Sequence, residues 1–161
     1  MSNLEDKRGA AVKFPPPFLP LATIVAGYIL GRLIPIPEQY DLATPQRYWI
    51  GGIIAAAAVL IFVAWPFFQF RKTGQDPTPW TPTPEIVVGG LYKITRNPMY
   101  VGMLIFCIGF AIILSELWIL VLTPVCGWMI HLIAIRNEEA YLEQKFGDAY
   151  RTYKKSVRRW I

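Results

Sequence analysis

MYVGMLIFCIGFAIILSELWILVLTPVCGWMIHLIAI, residues 99–135, is two apolar runs held apart by only two polar residues, Ser115 and Glu116. Each run approaches the length that carries a helix across a hydrocarbon core, roughly 17–25 residues. A link this short leaves an antiparallel helical hairpin as the only connection, with Pro124 and Gly127 as positions for a kink in its second arm.

Working toward the N-terminus, two further apolar runs occupy 18–36 and 48–70. The first starts in a proline cluster, Pro15–Pro17 and Pro20, where absent N–H groups cost least. It is too long for a signal-peptide core and reads as a retained anchor, with Arg32 snorkelling at its far end. The second has aromatics at both ends and a small-residue stretch, Gly51–Ala58, suited to close helix packing. The fold class is therefore all-α integral membrane, with about four transmembrane helices (18–36, 48–70, 99–114 and 117–135) in one domain of 161 residues.

Residues 1–13 read as a charged surface tail. The connecting segment 71–98 contains Asp76–Pro84, whose dense prolines bar regular helix and predict an extended run along the membrane surface. After Ile135 the pattern changes. Leu142, Phe146, Ala149, Tyr150, Tyr153, Val157 and Trp160 recur at helical steps, predicting an amphipathic cytoplasmic helix over 137–157. Cys107 and Cys126 lie inside apolar runs, without metal spacing or a disulfide framework.

Of the sixteen Lys and Arg residues, all but Arg32 and Arg47 fall on one side of a four-span topology. That side should be cytoplasmic and hold both termini, with the net charge of +5 a topology and anionic-lipid signal and no nucleic acid as partner. The compact length fits a prokaryotic inner membrane. Oligomeric state is not legible.

The chemistry collects at one doorway, YKITRNPMYVG (Tyr92–Gly102). The hairpin places Arg96, Asn97 and Tyr100 beside His131, Arg136, Asn137, Glu138 and Glu139. On a continuous helix His131 and Glu138, seven apart, share a face. Taken singly, each has a bland reading. Lys93 and Arg96 are positive-inside anchors, Tyr100 a belt residue, His131 a packing residue, and Glu138–Glu139 a solvated helix start. Convergence in space is what makes them a candidate site.

GGLYKITRNPMYVG (Gly89–Gly102), followed by RNEEAYLEQKFGDAYRTYKKSVRRW (Arg136–Trp160), resembles the membrane methyltransferases that include isoprenylcysteine carboxyl methyltransferases and phospholipid N-methyltransferases. Those families show G-P-Y-R-x-x-R-H-P-x-Y-x-G and then E-E-x-x-L-x-x-x-F-G-x-x-Y-x-x-Y. The resemblance covers Pro82 to Trp160. It implies S-adenosyl-L-methionine as cofactor at the cytoplasmic face, and a lipid-borne or apolar acceptor entering from the bilayer.

Carried over by position, Arg96, Asn97, Pro98, Tyr100 and Gly102 would belong to the cofactor pocket, and Glu138 and Glu139 would be the paired acids that contact the cofactor and close the site. Placed beside them by the hairpin, His131 would join the cofactor pocket, and Arg96, Arg136 and Glu139 would serve the transfer. Asn97 stands where the family usually has His, and Leu91 where Pro is common. An amide keeps hydrogen bonding and loses acid–base work. No metal ligand set is expected.

The implied reaction is in-line attack of an acceptor heteroatom on a sulfonium methyl, catalysed mainly by positioning and exclusion of water. A carboxylate acceptor would be oriented by Arg96 or Arg136. An amine or thiol would lose its proton to Glu138, Glu139 or His131. Two other classes compete: a non-catalytic membrane module keeping the fold, and an NADPH-dependent membrane reductase.

Overall fold

The computed structural model describes residues 9–12, 14–36, 43–72, 74, 78 and 81–161. Four helices form the body: α1 (Phe18–Leu33), α2 (Thr44–Lys72), α3 (Pro98–Leu114) and α4 (Leu117–Phe146). A short α5, Asp148–Ser156, comes after them. Among the described residues there is no strand, only one isolated parallel bridge between Thr95 and Arg158.

Among the described residues two helices, α2 and α4, are long and apolar enough to cross a membrane. The other two, α1 and α3, are apolar but shorter, 16 and 17 residues, which at 1.5 Å per residue is roughly 24–26 Å. Outward faces carry large apolar side chains in the open, Leu33 72%, Trp49 73% and Leu60 65% exposed. Such a continuous apolar exterior suits lipid and would be costly in water.

The hairpin turn is built by a left-handed residue. Ser115 adopts φ 52 and ψ 47. Its N–H bonds Ile112 O at 3.1 Å, and the Glu116 N–H reaches Ala111 O at 2.9 Å. This is a Schellman closure, which satisfies the carbonyls a helix end leaves open. α4 then runs unbroken through Pro124 and Gly127.

α3 is the central helix, packed on α2, α4 and α1. Its contact with α2 is backbone-close. A Cβ at Gly51 would lie 2.6 Å from Gly109 O, and one at Gly109 would lie 2.8 Å from Ala55 N. Ala55 and Ala58 complete this small face, whereas Gly52 points to open space.

Two expectations need correction. The N-terminal surface tail is partly buried where it is described: Ala10 and Val12 pack with Leu19, Tyr100 and Ile130, while Ala11 is exposed. The helix expected over 137–157 is two helices, because Gly147 (φ 53) breaks the chain between the polar extension of α4 and α5. The segment 71–98 has no regular helix over 81–89, as its prolines dictate, and Thr83 N–H bonds Tyr141 Oη on α4 at 3.2 Å. Residues 76, 77, 79 and 80 of its proline run lie outside the described residues.

Candidate functional site

The doorway is pinned before α3 begins. Gly90–Lys93 forms a single 3-10 turn, and Tyr153 Oη on α5 donates to Tyr92 O at 2.7 Å. Pro98 occupies the first turn of α3, where its missing N–H costs nothing. Residues 95–97 are then held by a partner from far down the chain. Arg96 N–H bonds Arg158 O at 2.9 Å, and Thr95 Oγ1 and Asn97 Nδ2 both donate to Arg159 O, at 3.1 and 2.9 Å.

Opposite this wall, α4 continues beyond its apolar stretch, which ends at Ile135, as a polar extension from Arg136 to Phe146. Between the two lies a cavity of about 860 Å3, its open mouth included. Its polar side is Arg96, Asn97, Tyr100, Glu138, Glu139 and Tyr150. Its apolar side is Ala10, Phe70, Ile86, Val87, Met99 and Leu142.

The two adjacent carboxylates sit in opposed environments. Glu139 is buried and takes a two-pronged grip from Arg159, Nε and Nη2 to Oε1 and Oε2, each 2.8 Å. Arg96 Nη1 stands 3.1 Å from the same Oε1. That contact is an ion pair off the hydrogen-bond axis, so Arg96 Nε and Nη1 stay enclosed without a hydrogen-bond acceptor. Burial alone would raise the Glu139 carboxyl. The Arg159 fork and the charges of Arg96, Arg159 and Lys154 outweigh burial and hold it below the usual carboxylate range.

Among the described residues Glu138 has no cation in contact, and it accepts from the Tyr100 hydroxyl. Burial pushes it up, the Tyr100 hydrogen bond pulls the other way and the charge of Glu139 adds to the rise, leaving it at about 7. One acid is therefore fixed as an anion and its neighbour titrates near neutrality. Environments that split a pair of acids in this way are characteristic of acid–base sites. Burial also pushes the Tyr92, Tyr150 and Tyr153 phenols up, so they face the cavity as neutral groups.

Of the residues singled out in the sequence, Arg96, Asn97, Pro98, Tyr100, Glu138 and Glu139 line this cavity. Gly102, His131 and Arg136 do not. A Cβ on Gly102 would lie 2.6 Å from Phe62 Cβ and 3.1 Å from Ala58 O, so this glycine serves the contact with α2. His131 opens a π-helical stretch, His131–Ile135. The wider turn inserts about one extra residue and rotates the rest of α4 by roughly 100°, so His131 leaves the face that carries Glu138. It is half-buried, with Nδ1 enclosed and unpartnered. Arg136 is exposed.

Arg159 escaped the sequence reading, which counted it only as a topology charge. Tyr150 and Tyr153 were legible as a helical stripe and as the family's Y-x-x-Y, though not as cavity walls. Nothing in the sequence signalled Ala10.

A profile described as phospholipid methyltransferase matches residues 47–149. Among curated proteins, the protein-S-isoprenylcysteine O-methyltransferase of Schizosaccharomyces pombe is 36% identical over 72 residues, 45% of this chain and 30% of the relative. The enzyme of that name from Dictyostelium discoideum is 35% identical over 72 residues, again 45% and 30%. An uncharacterized protein of Haemophilus influenzae is 40% identical over 65 residues, 39% of this chain and all of that protein. The isoprenylcysteine relatives are thus matched over about a third of their own length. No solved structure matches the chain.

Proposed function

The chain belongs to the phospholipid methyltransferase family, and from that premise we propose that it is an integral-membrane enzyme transferring a methyl group from S-adenosyl-L-methionine to a lipid-borne or apolar acceptor at the cytoplasmic face. In this reading all four body helices span, the two shorter ones where the bilayer thins or their flanks snorkel.

The cavity carries the proposal. It joins Arg96, with a buried nitrogen lacking an acceptor, to two carboxylates of different ionisation and to an apolar wall. The donor set fits the cofactor. Arg96 Nε suits the carboxylate of its amino-acid end, since an enclosed guanidinium donor without a partner favours an anion. Two guanidiniums facing one Glu139 leave a local surplus of positive charge for that anion. Glu138 can accept from the ammonium or the ribose hydroxyls, and the neutral tyrosines offer faces for adenine or for a cation.

S-adenosyl-L-methionine, when bound, supplies an electrophilic methyl group on a sulfonium. The residues of this chain bind, align and keep water out, which for well-oriented reactants accounts for about 7–11 kcal/mol of a barrier. An amine or thiol acceptor must also shed a proton. Glu138 is the group able to take it near pH 7, where a base is most effective. A carboxylate acceptor needs no base and would rely on orientation alone. Asn97 takes no part in proton transfer in either case, and its amide is committed to Arg159 O.

Isothermal titration of the detergent-purified protein with S-adenosylhomocysteine, with NADPH as comparison, tests this. Saturable binding of the first alone is the expected result. Binding of NADPH alone would replace the reading with a reductase, and binding of neither by folded protein would leave a non-catalytic membrane module.

A further inference from the structure

Arg159 joins both walls of the cavity. Its carbonyl receives Thr95 and Asn97 from the doorway, and its guanidinium grips Glu139 on α4. The preceding carbonyl, Arg158 O, receives Arg96 N–H. Residues 157–160 thus form a strap across one side of the site, seated by Trp160 against the cluster that contains Tyr100.

The side chain does more than brace. A carboxylate accepts about four hydrogen bonds, two per oxygen. Arg159 takes one on each oxygen of Glu139, and the two prongs match the carboxylate plane, the strongest form of this pairing. Arg96 is left a single off-axis approach to Oε1. Two guanidiniums therefore compete for one carboxylate, and the outer one, 39% exposed, holds it. Without Arg159, Glu139 would be free to turn and form its own fork with Arg96, quenching the nitrogens that now lack acceptors.

We propose that Arg159 is a positioning residue for the site: by occupying Glu139 with both prongs it keeps Arg96 available to an anionic group of the ligand, the carboxylate of the cofactor's amino-acid end. This rests on the methyltransferase reading of the cavity.

The test compares two ligands, S-adenosylhomocysteine, which carries that carboxylate, and 5′-methylthioadenosine, which does not, against wild-type, Arg159→Ala and Arg159→Lys proteins. Arg159→Ala should lose roughly tenfold or more for S-adenosylhomocysteine, as expected for a hydrogen bond to a charged group, with little change for 5′-methylthioadenosine. Guanidinium ion added to Arg159→Ala should restore the loss. Arg159→Lys keeps the charge without the fork and should show the same selective loss in milder form, and it carries the test if the alanine variant does not fold. Unchanged S-adenosylhomocysteine affinity, a parallel loss of both ligands, or a loss that guanidinium leaves in place would overturn the proposal. Failure of the wild-type protein to bind S-adenosylhomocysteine would instead sink the methyltransferase reading beneath it.

Discussion

Glu138→Gln should make the protein more stable at alkaline pH and leave it unchanged at acid pH. The substitution keeps the side-chain shape and an oxygen to accept from Tyr100, and removes the titration. Glu138 rises from 4.5 to about 7 on folding, chiefly through burial. Between those values the folded protein keeps a proton that the unfolded chain has released. Raising pH through that window therefore favours the unfolded state, and the stability that is whole below pH 4.5 is lost as pH passes 7. A rise from 4.5 to about 7 corresponds to a loss of about 3 kcal/mol. For a chain of this size that corresponds to roughly 6–12 °C in Tm.

Thermal melts in one detergent at a fixed scan rate, from pH 4 to 8.5, give the readout as the difference between variant and wild type. The low-lying Glu139 acts in the opposite direction, its contribution lost as pH falls below 4.5, but it is common to both proteins and cancels. Curves that stay parallel across the range, or a variant that is weaker at pH 8, would refute the burial argument for Glu138.

Arg96→Met should weaken S-adenosylhomocysteine binding by roughly tenfold or more in calorimetry, since it removes the enclosed donors while Glu139 keeps its Arg159 fork. Lys93→Gln, His131→Asn and Arg136→Gln should leave that affinity unchanged, because none of the three side chains lines the cavity. Gly102→Leu should lower stability by about 1–3 kcal/mol through overpacking against Phe62 and Ala58, read as a fall in Tm. Gly52→Ala meets nothing within 4 Å and should raise stability by up to about 1 kcal/mol through helix propensity. A drop there would contradict the packing of α2.

How far the sequence exposed this structure depends on the range of each signal. Ser115–Glu116 was legible because a two-residue polar interruption in apolar sequence admits few geometries. The close face of Gly51, Ala55 and Ala58 was legible for a similar local reason. Gly147 was passed over because the apolar stripe runs across it, although a glycine at positive φ ends a helix regardless of its stripe. The π turn at His131–Ile135 has no composition of its own, so the spacing that paired His131 with Glu138 was sound arithmetic on the wrong helix. The doorway and the two acids surfaced through the hairpin that brings them together and through their resemblance to a family. Arg159 did not, because a few extended residues pairing with a segment some sixty positions earlier leave no periodicity to detect.

That separation also orders the assembly of the site in time. Asn97 and Thr95 meet Arg159 across 62 and 64 residues, among the last contacts a chain growing from its N-terminus can make. At about 5–20 residues per second, the doorway waits roughly 3–12 s for the strap to be synthesised. The apolar helices can insert and pair in that interval. A chain not yet translated through Arg159 lacks the carbonyls that hold Thr95, Arg96 and Asn97 in place.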